Sequence, residues 1–154
     1  MHKSGGNFVP YHLTYCGYKI RLKKATAAVA ARGFDALLMF APKSHYWICG
    51  YETLGFAMFQ CLILGADGKL NLLTRKPDLR QAQQTPTFSD ELIHIWKDVK
   101  GLSHSSNPRA LVSQLGYDRN IAMEAKTPGL TFFNGQRVVE VFDQTLMNGD
   151  SIIS

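Results

Sequence analysis

Tyr46-Trp47-Ile48-Cys49-Gly50-Tyr51-Glu52-Thr53-Leu54-Gly55-Phe56, running on into Ala57-Met58-Phe59-Gln60-Cys61-Leu62-Ile63-Leu64, decides the reading of this chain. An aromatic cluster ends in a Gly-Tyr-acid turn, and the turn launches a strongly apolar segment. Gly50 and Gly55 let the backbone bend at either end of the turn, where a side chain would otherwise clash. Phe56 to Leu64 is predicted to be a strand. Ala66-Asp67-Gly68-Lys69 follows it, and Asp-Gly between apolar runs predicts a hairpin to a second strand, Leu70 to Thr74. Upstream, Ala36 to Phe40 is a continuous apolar run of the kind buried on both faces of a sheet. Pro42 breaks it, and Ser44 is the expected N-cap of a short helix through Ile48.

Outward from this centre, helices and strands alternate. The first helix is predicted from about Cys16 to Arg32, with Tyr18, Leu22, Ala25 and Val29 as its apolar stripe and Gly33 as its stop. Pro77-Asp78 opens a short helix to Gln83, and Ile93 to Trp96 is a further strand. A polar loop, Lys97 to Ser106, precedes a helix that starts at Asn107-Pro108 and stops at Gly116. Ile121 to Glu124 is another strand, Leu130 to Arg137 a helix begun by Thr127-Pro128, and Val138 to Phe142 the last strand. One short helical turn is expected in Gln144 to Ser154. Alternation with one hairpin predicts an α/β protein, a mixed β-sheet flanked by helices.

The totals bound the function. A chain of 154 residues, 45% hydrophobic and 19% charged, forms one domain rather than a disordered chain. Residues 1–10 read as a polar, tag-like start and 11–154 as the domain. No apolar run reaches the ~20 residues that span a bilayer, and no signal-peptide core is present. Three cysteines, Cys16, Cys49 and Cys61, lack metal-ligand spacing, so reduced thiols and a cytoplasmic location are expected. The net charge of +5 is concentrated. Six basic residues and no acid precede Asp35, whereas eleven basic residues and twelve acids follow from there. A basic helix of this kind is read first as a solvated or docking face. A nucleic-acid partner would call for exposed aromatics interleaved with the charges, which the helix sequence does not offer.

Catalytic chemistry is not visible. His2, His12, His45, His94 and His104 form no pair at helical spacing, and no Cys-x-x-Cys occurs. No Gly-x-Ser-x-Gly elbow, Walker loop or dinucleotide fingerprint is present. Asp90, Glu91 and Glu124 are read as solvated carboxylates. No catalytic residue and no metal ligand is assigned. Two constellations remain. In the aromatic loop, Tyr51 and Phe56 offer large apolar faces and Glu52 one charge, a combination suited to an interface or a pocket wall. In Leu73 to Ala82, Arg75 and Arg80 flank a helix start, where backbone amides and a guanidinium favour an anion.

This order of elements resembles the N-terminal domain of the creatinase, prolidase and aminopeptidase P family, the pita-bread metallopeptidases. The resemblance rests on the aromatic Gly-Tyr-acid loop and its flanking strands. It extends more generically over the chain after the first ten residues. Two departures are Cys49, where a Thr is common, and Glu52, where an Asp is usual. The resemblance implies a ribonuclease-H-like mixed sheet flanked by helices. It also implies a non-catalytic domain that serves dimerisation and shapes the partner subunit's substrate pocket, with the catalytic pita-bread domain outside this chain. The loop carrying Tyr51, Glu52 and Phe56 is the part expected to approach that pocket. The whole enzyme is expected to be a homodimeric C–N hydrolase acting on Xaa-Pro peptides, creatine or ectoine. Any divalent metal is expected in the catalytic domain, with no cofactor in this chain and neither a nucleic-acid nor a membrane partner. The alternative from another class is a stand-alone small-ligand-binding or regulatory α/β module.

Overall fold

The computed structural model describes residues 14–53, 58–96, 114–117, 120–127, 130–131, 135–136, 146–149 and 152. Helix α1 spans Tyr15–Ala31, β1 Ala36–Met39, α2 Pro42–Cys49, β2 Cys61–Gly65, β3 Leu70–Arg75, α3 Leu79–Gln83, β4 Ile93–Trp96, β5 Ile121–Met123 and β6 Leu146–Asn148. Single 3-10 turns, Lys76–Asp78 and Asp90–Leu92, lead into α3 and β4. The described strands form one six-stranded sheet in the order β4-β3-β2-β1-β5-β6. The β1/β5, β3/β4 and β5/β6 pairs are parallel, and β2 runs antiparallel to both β1 and β3. The mixed α/β sheet expected from the sequence is present.

Alternation along the strands builds two cores, because successive side chains leave a strand on opposite faces. Leu37, Met39, Leu62, Leu64 and Leu72 pack with Ala25 and Val29 of α1, Ile48 of α2 and Ala82 of α3. Leu38, Ile63, Leu73, Ile121 and Trp96 form the opposite cluster, against which Leu115, Tyr117 and Leu130 pack. In α1 the expected stripe faces inward: Ala25 and Val29 are buried, Leu22 packs on the core, and Lys19, Lys23 and Lys24 face solvent. Thr14 caps the helix by accepting from the Gly17 amide, 3.2 Å.

Three readings change. Ser44 is not the N-cap of α2. The helix begins earlier, at Pro42, whose fixed φ and missing N–H suit a first helical position, and Ala41 is the cap residue. Glu124 is not solvated. It is 6% exposed and its Oε2 accepts from the Phe40 and Ala41 amides at 2.9 and 3.0 Å, while the Ser44 hydroxyl donates to Oε1. The carboxylate therefore pins the chain where it enters α2, at the amides of the cap residue and the residue before it and at the Ser44 hydroxyl. The tail contributes a strand that was not expected, β6, and the Ile152 N–H donates to the Gly149 carbonyl just after it, 3.0 Å. The backbone of β6 finds an open ladder beside β5, extended by Gly149 N–H to Met123 C=O, 2.8 Å. The strand Val138 to Phe142, and most of the helices placed at 107–116 and 130–137, lie outside the described residues.

Leu62→Ala, a truncation in the α1-side core, is expected to cost about 2–5 kcal/mol, and the solvent-facing Lys23→Ala no more than about 0.5 kcal/mol. Denaturant unfolding checks both. Glu124→Ala strands two buried amides and a hydroxyl, and a loss of about 3–5 kcal/mol is expected, with Ser44→Ala costing less. Burial pushes the Cys49 thiol up to about 12 and raises that of Cys61 further, while Cys16 is exposed. Iodoacetamide at mildly alkaline pH should therefore label Cys16 alone in the folded chain, and all three thiols after denaturation.

Candidate functional site

The carboxyl ends of the parallel strands β1, β3, β4 and β5 lie at one edge of the sheet, where open α/β sheets commonly bind ligands. Helix α2 stands there, entered from β1 and pinned by Glu124. His45, in its first turns, is 2% exposed; burial lowers its pKa and keeps the ring neutral, its Nε2 2.9 Å from the Met39 carbonyl. The helix ends at Gly50 with φ +77°, left-handed backbone that favours glycine. Tyr18 of α1 closes over the same position: a Cβ on Gly50 would sit 2.9 Å from the tyrosine ring. Gly50 therefore fixes both the chain reversal and the contact with α1.

Beyond Gly50 the chain is held at two of three successive residues. Tyr51 is fully buried. Its hydroxyl donates to Gln60 Oε1 at 2.9 Å, its ring meets Phe88 edge-on at 6.1 Å, and burial raises its pKa. It anchors the loop from inside the core and does not itself offer a surface. Thr53 Oγ1 donates to Asp78 Oδ1 at 2.8 Å, tying the loop to the turn before α3. Glu52, between them, is exposed and makes no ion pair among the described residues. Phe56 lies outside the described residues.

The arginine constellation is divided. Arg75, at the end of β3, is paired in register with Trp96 of β4 and lies 5.9 Å from its ring centroid. Trp96 is itself fixed by Nε1–H to the Phe59 carbonyl, 3.0 Å. This is the face of the sheet opposite α3, whereas Arg80 is exposed on α3. The helix start that the two arginines flank carries Asp78 as its cap residue, so an acid of the chain already stands there. The structure supplies no single two-arginine clamp.

What the sequence reading missed is the polar floor beneath the loop. Cys61 pairs with Leu73, so Gln60 and Thr74 face each other one step beyond the ladder, on the side where Tyr51 packs. Gln60 orients the Tyr51 hydroxyl, and Gln60 Nε2 and Thr74 Oγ1 have no hydrogen-bond partner among the described residues. The available signal was Gln60 itself, a polar residue inside an apolar run. Among the described residues no group of three or more His, Cys, Asp or Glu side chains could hold a metal. The arrangement supports presentation of one carboxylate, Glu52, from between two held residues; among the described residues no nucleophile stands with an activating base.

Comparison with known proteins agrees with this geometry. An ectoine hydrolase of Halomonas elongata is 31% identical over 81 residues, which are 53% of this chain and 20% of that protein. A dipeptidase PepE from Mycobacterium ulcerans superposes with a TM-score of 0.69 at 17% identity, covering 88% of this chain and 35% of that one. A proline dipeptidase structure from Streptococcus pneumoniae gives 0.67 at 16% identity, covering 84% and 90%. The N-terminal domain of the cytoplasmic peptidase PepQ from Mycobacterium tuberculosis gives 0.62 at 16%, covering 87% and 95%. At such identities the structural likeness is one of fold, and the chain spans only a fifth of the ectoine hydrolase and about a third of PepE. The family pattern described as Creatinase/Prolidase N-terminal domain matches residues 21–154, most of the chain, and the chain belongs to that family.

Proposed function

We propose that this chain is the non-catalytic N-terminal domain of a cytoplasmic C–N hydrolase of the Xaa-Pro peptidase, creatine or ectoine type. It serves homodimerisation and shapes the substrate pocket of the partner subunit. Membership of the family supports the domain assignment. The observation that carries the pocket role is the holding of Glu52: buried Tyr51 on one side, the Thr53–Asp78 hydrogen bond on the other, the carboxylate facing outward between them. A charge whose neighbours are fixed pays little ordering entropy when it meets a substrate ammonium or a guanidinium of the other subunit. Phe56 belongs to the same proposal as an apolar wall of that loop. Any divalent metal of the whole enzyme belongs on its catalytic domain.

In the full-length enzyme, Glu52→Ala is expected to raise KM or lower kcat by about tenfold, the scale of one lost charge-assisted contact, with the unfolding midpoint nearly unchanged. Tyr51→Phe, which removes the hydroxyl from Gln60, should do the reverse and cost about 1 kcal/mol of stability with near-normal kinetics. Normal kinetics in the folded Glu52→Ala protein would remove the loop from the pocket. The 154-residue chain alone, incubated with manganese, cobalt or zinc, is expected to hydrolyse no Xaa-Pro dipeptide, creatine or ectoine. Metal-dependent turnover would contradict the assignment of the chemistry to another domain.

A further inference from the structure

The basic character of α1 gains a shape in three dimensions. Between α1 and the β2–β3 hairpin runs an open groove of about 460 Å³, floored by Leu22, Ala27, Ala30 and Ala66 and flanked by Lys19 and Lys23. Thr26, also in the groove, spends its hydroxyl on the Leu22 carbonyl, 2.8 Å. Helix α1 contains no acid, and neither Lys19 nor Lys23 makes an ion pair among the described residues. Asp67, the acid of the adjoining hairpin, is already engaged. It accepts from the Lys69 amide and the Tyr117 hydroxyl, and Lys69 Nζ lies 3.8 Å away. The groove thus pairs a small apolar floor with two cations that have no ion-pair partner among the described residues.

The aromatics sought in the sequence are present nearby, but they come from beside the helix as well as from it. Tyr15 is 50% exposed and Trp47, from α2, 43%. Each already carries a cation of the chain: Lys19 lies 4.6 Å from the Tyr15 ring centroid, and Arg21 5.5 Å from that of Trp47. Arg21 is further held by the Trp47 carbonyl and the Tyr18 ring. Rings engaged in this way do not form the clear stacking platform that single-stranded nucleic acid uses. An alanine-floored groove suits an aliphatic side chain.

We propose that this groove docks an acidic segment of another protein, with an aliphatic side chain on the alanine floor and flanking carboxylates at Lys19 and Lys23. Charge complementarity chooses the partner. Two lysines on the rim attract carboxylates and set the register, while the apolar floor favours one buried side chain. The site is independent of the Glu52 loop and of the proposed catalytic assembly, so either reading can fail without the other.

The test uses the 154-residue chain and a fluorescein-labelled peptide of glutamates around one central leucine, with fluorescence anisotropy as readout. Binding is expected, and Lys19→Glu/Lys23→Glu should weaken it by about tenfold, as loss of two rim charges does. Ala27→Glu, which keeps a helix former at an exposed position while obstructing the floor, should weaken it similarly without lowering the unfolding midpoint. Lys43→Glu, on α2, should change it by less than about twofold. Failure to bind the peptide would overturn the proposal. So would equal binding of an all-glutamate peptide without the leucine, or an equal effect of Lys43→Glu. Tighter binding of oligothymidylate or of phosphatidylserine vesicles than of the peptide would overturn it too, and would reassign the surface.

Discussion

A single carboxylate holds the end of the sheet together. Glu124 leaves the end of β5, crosses to the β1–α2 connection, and accepts from two backbone amides and one hydroxyl there. Those amides belong to the cap residue Ala41 and the residue before it, at a helix start with no side-chain cap. Without Glu124 they would be buried without an acceptor, at a cost comparable to much of a small domain's net stability. The helix start in turn favours the negative charge through its exposed N–H groups. The parallel β1/β5 pairing, which places Leu38 opposite Met123, brings Glu124 within reach. Fold and helix entry therefore depend on each other: the crossover delivers the carboxylate, and the carboxylate fixes where the next helix begins.

The rest of the site is a chain of consequences along the backbone. Helix α2, started by Glu124, stops at Gly50 because a left-handed turn under the Tyr18 ring admits no larger residue without displacement. Tyr51 then re-enters the core and Thr53 binds Asp78 across the sheet edge. Three fixed points, one at the helix start and two after its end, leave Glu52 as the outward group. In the proposed reading, a held rim that presents one charge is what a pocket-shaping domain requires of its scaffold. The chemistry itself belongs, in the proposed reading, to a domain for which this edge is a wall.

Much of the fold was legible because its signals were local. Asp67-Gly68 specified the hairpin, the unbroken run Ala36 to Phe40 the central strand, and the spacing of Leu22, Ala25 and Val29 the inner face of α1. The misreadings at Ser44 and Glu124 share one cause. Each residue looked like a familiar local element, a helix cap or a surface acid, and only the long-range contact between them, eighty positions apart, revealed the actual arrangement. Tyr51 failed differently. An aromatic in a glycine-bounded turn suits an interface by composition, but its direction is set by Gln60, which no local pattern connects to it. The two arginines were read as flanking one helix start, and the pleat of β3 sends Arg75 to Trp96 on one face while α3, which carries Arg80, packs on the other. Trp47 escaped notice as a neighbour of the basic stripe because its proximity depends on how α2 packs against α1, and Tyr15 because it stands one residue before the expected helix start, although it opens α1 four positions from Lys19.

Residue-resolved native-state hydrogen exchange of the 154-residue chain, with and without Glu124→Gln, tests the central dependence most directly. The account predicts that the Phe40 and Ala41 amides are protected in the wild-type chain to the level of Leu38 and Leu64. In the variant that protection should fall, followed by that of α2 and the Tyr51 region, while the β2–β3 hairpin keeps its own. Equal exchange of the Phe40 and Ala41 amides in the two proteins would show that Glu124 does not hold this edge, and would contradict the account.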